Sequence, residues 1–454
     1  MQEIIVPTSR IEGHFDALSK IGNLGPRRED GYLRASWSDE ESAAMTYIGA
    51  VGRSAGMIAT YDEVGNLFVR TPHRRAQVVQ VGSHLDTVPK GGLYDGGAGV
   101  VAGLEAIIAL KSYWDELERG LELVVWRGEE SATFGVMCKG SQAAFGMLDP
   151  EILRREYRGK TLQEAIYFQR FAPGCIEEQR PTLSQEKIDS IAAHFELHIE
   201  QANRLEREGL DIGIVSGIRG TKRLRVDVTG EARHAGGTPM GTTFRKDANL
   251  AIAYMQVELD RLGQDFLEQG DDLVQTVGVI NSDRDLNQRD PRVYDNALTK
   301  ISPFGYFTLD IRSTSATFLE AYKRQVCELI STVGERFGVE VKITESSALP
   351  PVEEMDAGLQ ALEEAACQEL KLGYRYMPSG ALHDVSVVSE QRRSNGTRIP
   401  TGLVFIPCAD GVSHSPLEYA SPEAIGEGAM VLARAMLETA RMRELGSQEL
   451  RIKS

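Results

Sequence analysis

The chain has 454 residues, of which 42% are hydrophobic, and its formal net charge is −16. This length predicts two or three domains, and the ordinary hydrophobic content argues against disorder. The negative charge argues against nucleic acid and against an anionic membrane surface as partners, because both would repel the chain.

The first half of the chain alternates predicted strands and helices. A helix is predicted at residues 38–55, because Ser38 can cap it and apolar residues follow at helical spacing. The other elements predicted here are strands at 66–69, 77–82 and 121–126 and a buried helix at 96–110. This alternation indicates an α/β fold with parallel strands, in which ligands gather where strands end. His84 and Glu130 each lie just past a predicted strand end.

The pattern changes after residue 216. Residues 222–229 alternate apolar and polar side chains, which is typical of a half-exposed antiparallel strand. The elements predicted next are a helix at 245–262, strands at 273–280 and 305–311, a helix at 317–337 and a strand at 339–344. Two strand–helix–strand units predict a separate α+β domain at 217–348, inserted between two parts, 1–216 and 349–454, of the α/β domain.

Acidic residues and a histidine collect near these strand ends. His84 and Asp86 point to one side of the strand, because strand side chains alternate. Asp95 follows in a glycine-rich turn, and a histidine and a carboxylate from adjacent loops suit Zn²⁺ or Mn²⁺. Glu129 and Glu130 form a carboxylate pair after the next strand, from which one side chain can face a metal ion and the other water.

Two more histidines have a comparable setting. His198 follows an apolar stretch, and His383 lies beside Asp384. A lone histidine is more often structural than functional, so the motifs around these two have to decide.

Several motifs resemble those of one enzyme family. Residues 81–88 (VGSHLDTV) and 91–96 (GGLYDG) resemble the metal-binding signature of the M20 metallopeptidase superfamily. His198 stands where peptidase branches usually place an acidic ligand, which favours another branch, the amidase/hydantoinase/carbamoylase family. The later motifs that are similar to this branch are residues 198–201, 232–240, 309–312, 379–384 and 411–418.

The resemblance implies a two-metal site in which Asp95 is shared. His84 and His198 would complete the first set of ligands, and Glu130 and His383 would complete the second. The two ions per subunit would be Zn²⁺, Mn²⁺, Co²⁺ or Ni²⁺, all of which suit imidazole and carboxylate ligands.

Two carboxylates would assist this site. Asp86 would orient His84 through its ring N–H. Glu129 would be the general base, which takes a proton from water and passes it to the leaving nitrogen.

The resemblance also implies residues that contact the substrate. His234, in the inserted domain, would stabilise the oxyanion, often in the partner subunit's active site. Arg312 would hold a substrate carboxylate, with an ion pair to Asp310 as the alternative. Asn296 is a further candidate, although the residues after it depart from the family's pattern. The weaker candidates are Gln201 and backbone groups near Gly380.

The fold implied is a di-metal catalytic α/β domain with an inserted ferredoxin-like α+β lid and dimerisation domain. The reaction implied is metal-dependent hydrolysis of the carbamoyl C–N amide bond of an N-carbamoyl-L-amino acid, which yields the amino acid, CO₂ and ammonia. An allantoate or other ureido-acid amidohydrolase is the alternative, and an M20-type aminopeptidase is a second. A binding protein on an inactive enzyme fold is disfavoured, because the expected ligands and base are all present.

The expected partners are a small carbamoyl or ureido acid and a second copy of the chain, bound through the inserted domain. The glycines of residues 91–103 lack the spacing of a nucleotide-binding loop. Residues 1–10 show no signal-peptide pattern, and the five cysteines form no Cys-x-x-Cys pair, so a reduced, cytoplasmic protein is expected.

Overall fold

The structure is a computed structural model that describes residues 4–282 and 297–442. The chain divides into two compact units. The first comprises the chain up to Ser216, Glu354–Ser379 and the chain from His383 onward, and the second comprises Gly217–Glu353 and Gly380–Leu382.

The five longest helices in the described part of the chain begin at side chains that cap them. Ser38, for example, accepts a hydrogen bond from the backbone N–H of Glu41, and Ser421 accepts one from that of Ala424. No helix in the described part of the chain is both long and apolar enough to cross a membrane. The helices are α1 (Thr8–Leu18), α2 (Asp39–Ser54), α3 (Gly97–Ala109), α4 (Lys139–Ala144), α5 (Leu162–Phe168), α6 (Gly174–Glu177), α7 (Gln185–Ser190), α8 (Arg204–Glu208), α9 (Ala248–Glu268), α10 (Ala316–Phe337), α11 (Ala357–Leu370), α12 (Asp384–Ser389) and α13 (Pro422–Arg441).

The strands differ in burial between the two units. In the first unit, β4 and β7 are buried along their whole length, whereas in the second unit β9 and β13 alternate between buried and half-buried residues. The strands are β1 (Ile58–Tyr61), β2 (Leu67–Arg70), β3 (Val78–His84), β4 (Gly120–Trp126), β5 (Glu156–Tyr157), β6 (Lys160–Thr161), β7 (Ile191–Ile199), β8 (Ile212–Ile218), β9 (Gly220–Thr229), β10 (Arg233–His234), β11 (Val274–Asn281), β12 (Lys300–Ile301), β13 (Phe304–Ser313), β14 (Glu340–Leu349), β15 (Tyr374–Ser379) and β16 (Thr401–Ile406).

The first unit is built on an eight-stranded sheet with the order β1-β2-β4-β3-β7-β16-β8-β15. Its four central strands, β4, β3, β7 and β16, are parallel. Helices α3 and α13 pack on these strands and on each other, which helps to bury the central strands. The prediction of a mixed α/β fold is confirmed, and the carboxyl ends of the parallel strands meet at one edge.

The second unit has a four-stranded antiparallel sheet with the order β11-β13-β9-β14. Along the chain its elements run β9-α9-β11-β13-α10-β14, with the short strands β10 and β12 paired separately. This is the ferredoxin-like arrangement. One face of the sheet and the two helices share a core that includes Val226, Met255, Phe307 and Val326.

The second unit extends beyond the predicted end at residue 348. Ile218 and Val352 exchange both backbone hydrogen bonds, at 2.8 and 3.0 Å, so pairing continues past Pro350. Gly380–Leu382 also belong to this unit. Alternation of side chains could not predict either feature, because both depend on pairing between distant parts of the chain.

Gly99 allows α3 to lie directly on the central strands. A Cβ atom at this position would lie 2.1 Å from the carbonyl oxygen of Leu197 in β7 and 2.8 Å from Cβ of Ser83 in β3. Gly97, in the same helix, has only one atom of Phe15 nearby, 3.9 Å from the position of its Cβ. The close approach therefore depends on Gly99 alone of these two glycines.

Replacing Gly99 by Ala is expected to lower the free energy of unfolding by about 2 kcal/mol or more, because the backbone of β7 has to move. Urea denaturation measures this as a lower midpoint with an unchanged slope. The matched control is Gly97→Ala, which should change the midpoint little. Equal destabilisation of the two variants would contradict the close contact.

Candidate metal centre

Histidines and acids collect at the edge of the sheet where the parallel strands end. His84 is the last residue of β3, and His198 lies at the end of β7. Glu129 and Glu130 follow β4 after a turn at Gly128, which has φ +61°. Since β4, β3 and β7 are parallel neighbours, their carboxyl ends bring these side chains together.

The first group of ligand atoms consists of His84, Asp95 and His198, and all three side chains are buried. The Nε2 atom of His198 lies 2.9 Å from Asp95 Oδ1, and the Nε2 atom of His84 lies 3.6 Å from the same oxygen. Gly96, at φ +63°, permits this approach, because a Cβ atom there would lie 2.5 Å from the ring of His84. The ligand atoms all lie within 4.8 Å of one another, so one ion can contact all three.

The second group consists of Asp95, Glu130 and His414. His414 follows β16, and its Nε2 atom lies 3.2 Å from Asp95 Oδ2 and 3.4 Å from Glu130 Oε1. Asp95 therefore directs one carboxylate oxygen to each group. This is the arrangement expected of a carboxylate shared by two metal ions.

One predicted ligand lies outside both groups. His383 belongs to neither group among the described residues. It lies directly before α12, and its Nε2 atom is 2.9 Å from the hydroxyl of Ser379. His414 stands where His383 was expected. It belongs to the motif at residues 411–418, which resembles the family, although that resemblance did not single out its histidine as a ligand.

Asp86 connects the two loops of the centre. Its Oδ1 accepts a hydrogen bond from the backbone N–H of Glu129 at 2.9 Å, and its Oδ2 accepts one from that of Glu130 at 3.1 Å. The same Oδ1 lies 3.3 Å from Nδ1 of His84. One buried carboxylate therefore orients both the imidazole and the acid pair.

Glu129 lies beside the first group of ligands. Its Oε2 is 3.9 Å from Nε2 of His84, and the Cys138 thiol donates to its Oε1 at 3.5 Å. Burial, together with the carboxylate of Glu130, raises the pKa of Glu129 well above its ordinary value. A buried acid that holds a proton readily is suited to accept one from water.

The centre carries an excess of buried negative charge. Burial and the neighbouring Asp95 raise the pKa of Glu130 well above its ordinary value. The buried Lys139, which sequence reasoning did not identify, donates to the carbonyls of Glu130 and Val136 at 2.8 Å each. A divalent cation would neutralise the remaining acids, and imidazole nitrogens with carboxylate oxygens are ligands that Zn²⁺ and Mn²⁺ accept. The donor set therefore fits a metal ion.

Known proteins share both the sequence and the fold. The sequence profile of the peptidase family M20/M25/M40 matches residues 81–438. The chain belongs to this family. The N-carbamoyl-L-amino acid amidohydrolase of Geobacillus stearothermophilus is 31% identical over 94% of this chain and 98% of its own length. The allantoate amidohydrolase of Escherichia coli strain K12 is 30% identical over 94% of this chain and 97% of its own length.

The chain is also similar in three-dimensional structure to a solved protein. An amidase of the hydantoinase/carbamoylase family from Burkholderia multivorans has a TM-score of 0.82 and 29% identity, and the match covers 97% of this chain and 99% of that one. The resemblance to the amidase/hydantoinase/carbamoylase family is thereby confirmed. M20 family enzymes depend on metal ions, and this member is a hydrolase of C–N amide bonds.

Gln201 contacts the metal centre directly. Its side-chain amide donates to Asp95 Oδ2 at 2.9 Å, and the hydroxyl of Ser413 donates to the same oxygen at 3.1 Å. Gln201 therefore holds the carboxylate of Asp95, which both ligand groups of this M20 family member share. This contact differs from the substrate contact that the family resemblance implies for Gln201.

The other predicted substrate residues lie in the second unit or outside the described residues. Arg312 donates to both carboxylate oxygens of Asp310, at 2.9 and 3.2 Å, and to the carbonyl of Gly380 at 2.7 Å. The ion pair considered as the alternative for Arg312 is therefore present. His234 is exposed, and its Nδ1 accepts from the backbone N–H of Gly237 at 3.0 Å. Asn296 lies outside the described residues.

Replacing His414 by Asn is expected to reduce the metal bound per chain by about half, because one of the two ligand groups loses its only imidazole. Metal loading, dialysis and elemental analysis by mass spectrometry measure this ratio. The matched control is His383→Asn, which should retain the wild-type metal content. Loss of metal in the His383 variant with full retention in the His414 variant would reverse the assignment.

Proposed function

We propose that the chain hydrolyses the carbamoyl C–N amide bond of an N-carbamoyl-L-amino acid and releases the amino acid, CO₂ and ammonia. The observation that carries this proposal is the pair of ligand groups that share Asp95, with the buried acid Glu129 beside them. The similarity to an N-carbamoyl-L-amino acid amidohydrolase over nearly the whole chain supports this choice of substrate.

The proposed metal ligands are His84, Asp95 and His198 for one ion, and Asp95, Glu130 and His414 for the other. Bound divalent ions lower the pKa of a water molecule and polarise a carbonyl oxygen. Zn²⁺, Mn²⁺, Co²⁺ and Ni²⁺ all accept this set of nitrogen and oxygen ligands.

Glu129 is the proposed general base. Its carboxylate takes a proton from the attacking water while the oxygen of that water bonds to the carbonyl carbon. The same carboxyl group then protonates the leaving nitrogen as the C–N bond breaks. The remaining carbamoyl group then breaks down to ammonia and CO₂. The whole reaction consumes one water molecule. Asp86 holds Glu129 in place by accepting from its backbone N–H.

Arg312 is the proposed partner of the substrate's α-carboxylate. It already forms two charge-assisted hydrogen bonds to Asp310, which fix the plane of its guanidinium group. If Arg312 holds the carboxylate, Arg312→Gln should raise KM, whereas Arg223→Gln, which removes another partner of Asp310, should not. An unchanged KM in the Arg312 variant would exclude this role.

The remaining substrate contacts follow from the family resemblance. His234 would stabilise the oxyanion, and Asn296 and the backbone at Gly380 would contact the substrate. We propose that the second unit acts as a lid and joins two copies of the chain into a homodimer.

A second candidate is an allantoate or other ureido-acid amidohydrolase. It is supported by the similar identity, 30%, to the allantoate amidohydrolase of Escherichia coli. The same ligands and base serve both reactions, so the metal centre does not discriminate between them. An aminopeptidase remains the third candidate, because the family includes peptidases.

A panel of N-carbamoyl-L-amino acids, allantoate and dipeptides, tested with the metal-loaded chain, separates these candidates. We expect kcat/KM for the best N-carbamoyl-L-amino acid to exceed that for allantoate and for any dipeptide by about a hundredfold or more. Ammonia release measures the first two classes and free amino groups measure the third. A preference for allantoate would establish the second candidate, and a preference for dipeptides would establish the third.

Replacing Glu129 by Gln is expected to lower kcat by about 10²- to 10⁴-fold, because the proton acceptor is lost while the shape is kept. The bound metal should stay at the wild-type amount, since Glu129 is not among the proposed ligands. The control is Glu200→Gln, a buried acid that caps α8 through the backbone N–H groups of Arg204 and Leu205. Full turnover by the Glu129 variant would refute its role as the base.

A further inference from the structure

A basic cavity lies at the other end of the central strands. It has a volume of about 380 Å³, and Val78 at the start of β3 and Gly120 at the start of β4 line it. The metal centre stands at the opposite, carboxyl edge of the same strands. Residues 70–75 carry three arginines and a histidine with no acid, in a chain whose net charge is −16.

The arginines of this segment lack carboxylate partners. Among the described residues, no carboxylate forms an ion pair with Arg70, Arg74 or Arg75. Arg75 donates to the backbone carbonyl of Asp115 at 2.8 Å, and Arg70 donates weakly to that of Thr71 at 3.4 Å. Most guanidinium N–H groups in the cavity are therefore free to bind an anion.

The nearby acids are largely committed to other cations. The carboxylate of Asp115 pairs with His73 at 2.9 Å, and the buried Glu122 pairs with Lys187 at 2.5 Å. Glu186 is the only acid among the described residues that line the cavity. Its single charge does not balance three unpaired guanidinium groups.

We propose that this cavity binds a small phosphorylated molecule. Guanidinium groups bind phosphate oxygens through parallel, charge-assisted hydrogen bonds, and more than one unpaired guanidinium favours a dianion over a monoanion. The volume lies in the range of small-molecule sites and exceeds what a bare phosphate fills. A long polyanion is disfavoured, because the net charge of −16 repels it outside the cavity.

Calorimetric titration of the metal-loaded full chain with glycerol 3-phosphate tests the site. We expect saturable binding of one molecule per chain, weakened about tenfold or more in the double variant Arg74→Gln/Arg75→Gln. Raising NaCl from about 50 to 300 mM should also weaken the binding several-fold, because the contacts are ionic. The matched control is Arg207→Gln/Arg324→Gln, which removes the same charge from exposed positions elsewhere and should bind as the wild type does.

Each outcome decides the proposal. Binding that persists unchanged in the Arg74/Arg75 variant would show that the phosphate binds elsewhere and would overturn the proposal. The absence of saturable binding to the wild type would overturn it as well. Equal affinity for malonate would overturn the choice of phosphate over carboxylate. If the double variant fails to fold, the single variant Arg74→Gln with the salt series gives the same two readings. None of these measurements depends on turnover, so the outcome is independent of the proposed reaction.

Discussion

The candidate metal centre depends on the carboxylate of Asp95, because both groups of ligand atoms include it. Its Oδ1 faces His84 and His198, and its Oδ2 faces His414, so one side chain joins the two ligand groups. Glu418 holds the loops in register, because its Oε1 accepts from the backbone N–H of Asp95 and its Oε2 from that of His414. The carboxylate of Glu418 thereby ties together segments that are 323 residues apart in sequence.

Burying these acids close together is unfavourable, and the cationic side chains of the protein offset only part of their repulsion. Asp86, Glu129 and Glu130 are all buried at the same edge of the sheet as Asp95, and like charges at low dielectric repel strongly. Lys139 offsets part of this repulsion from beneath the acid pair. Bound cations would offset the rest of this repulsion. Metal binding should therefore also stabilise this edge of the sheet.

The sequence predicted site residues best where they lie at or just after the ends of neighbouring parallel strands. His84 and His198 lie at the ends of parallel strands and Glu130 follows another closely, and the ends of neighbouring parallel strands lie at the same edge of the sheet. The choice between His383 and His414 did not follow from sequence, because both lie in family motifs and only the folded loop after β16 brings one of them to Asp95. Similarly, the alternation of side chains revealed the second unit, whereas the pairing of residues 218 and 352, which closes it, depends on backbone contacts that no local pattern encodes.

The division of the chain into two units explains why the reaction class is easier to establish than the substrate. All the proposed metal ligands and the proposed base belong to the first unit. The residues proposed to contact the substrate's carboxylate and oxyanion, Arg312 and His234, belong to the second. Relatives named for different substrates can therefore share the same metal-binding motifs, since the proposed ligands and base all lie in the first unit. Substitutions in the second unit can therefore change which amide substrate binds without changing the proposed metal ligands.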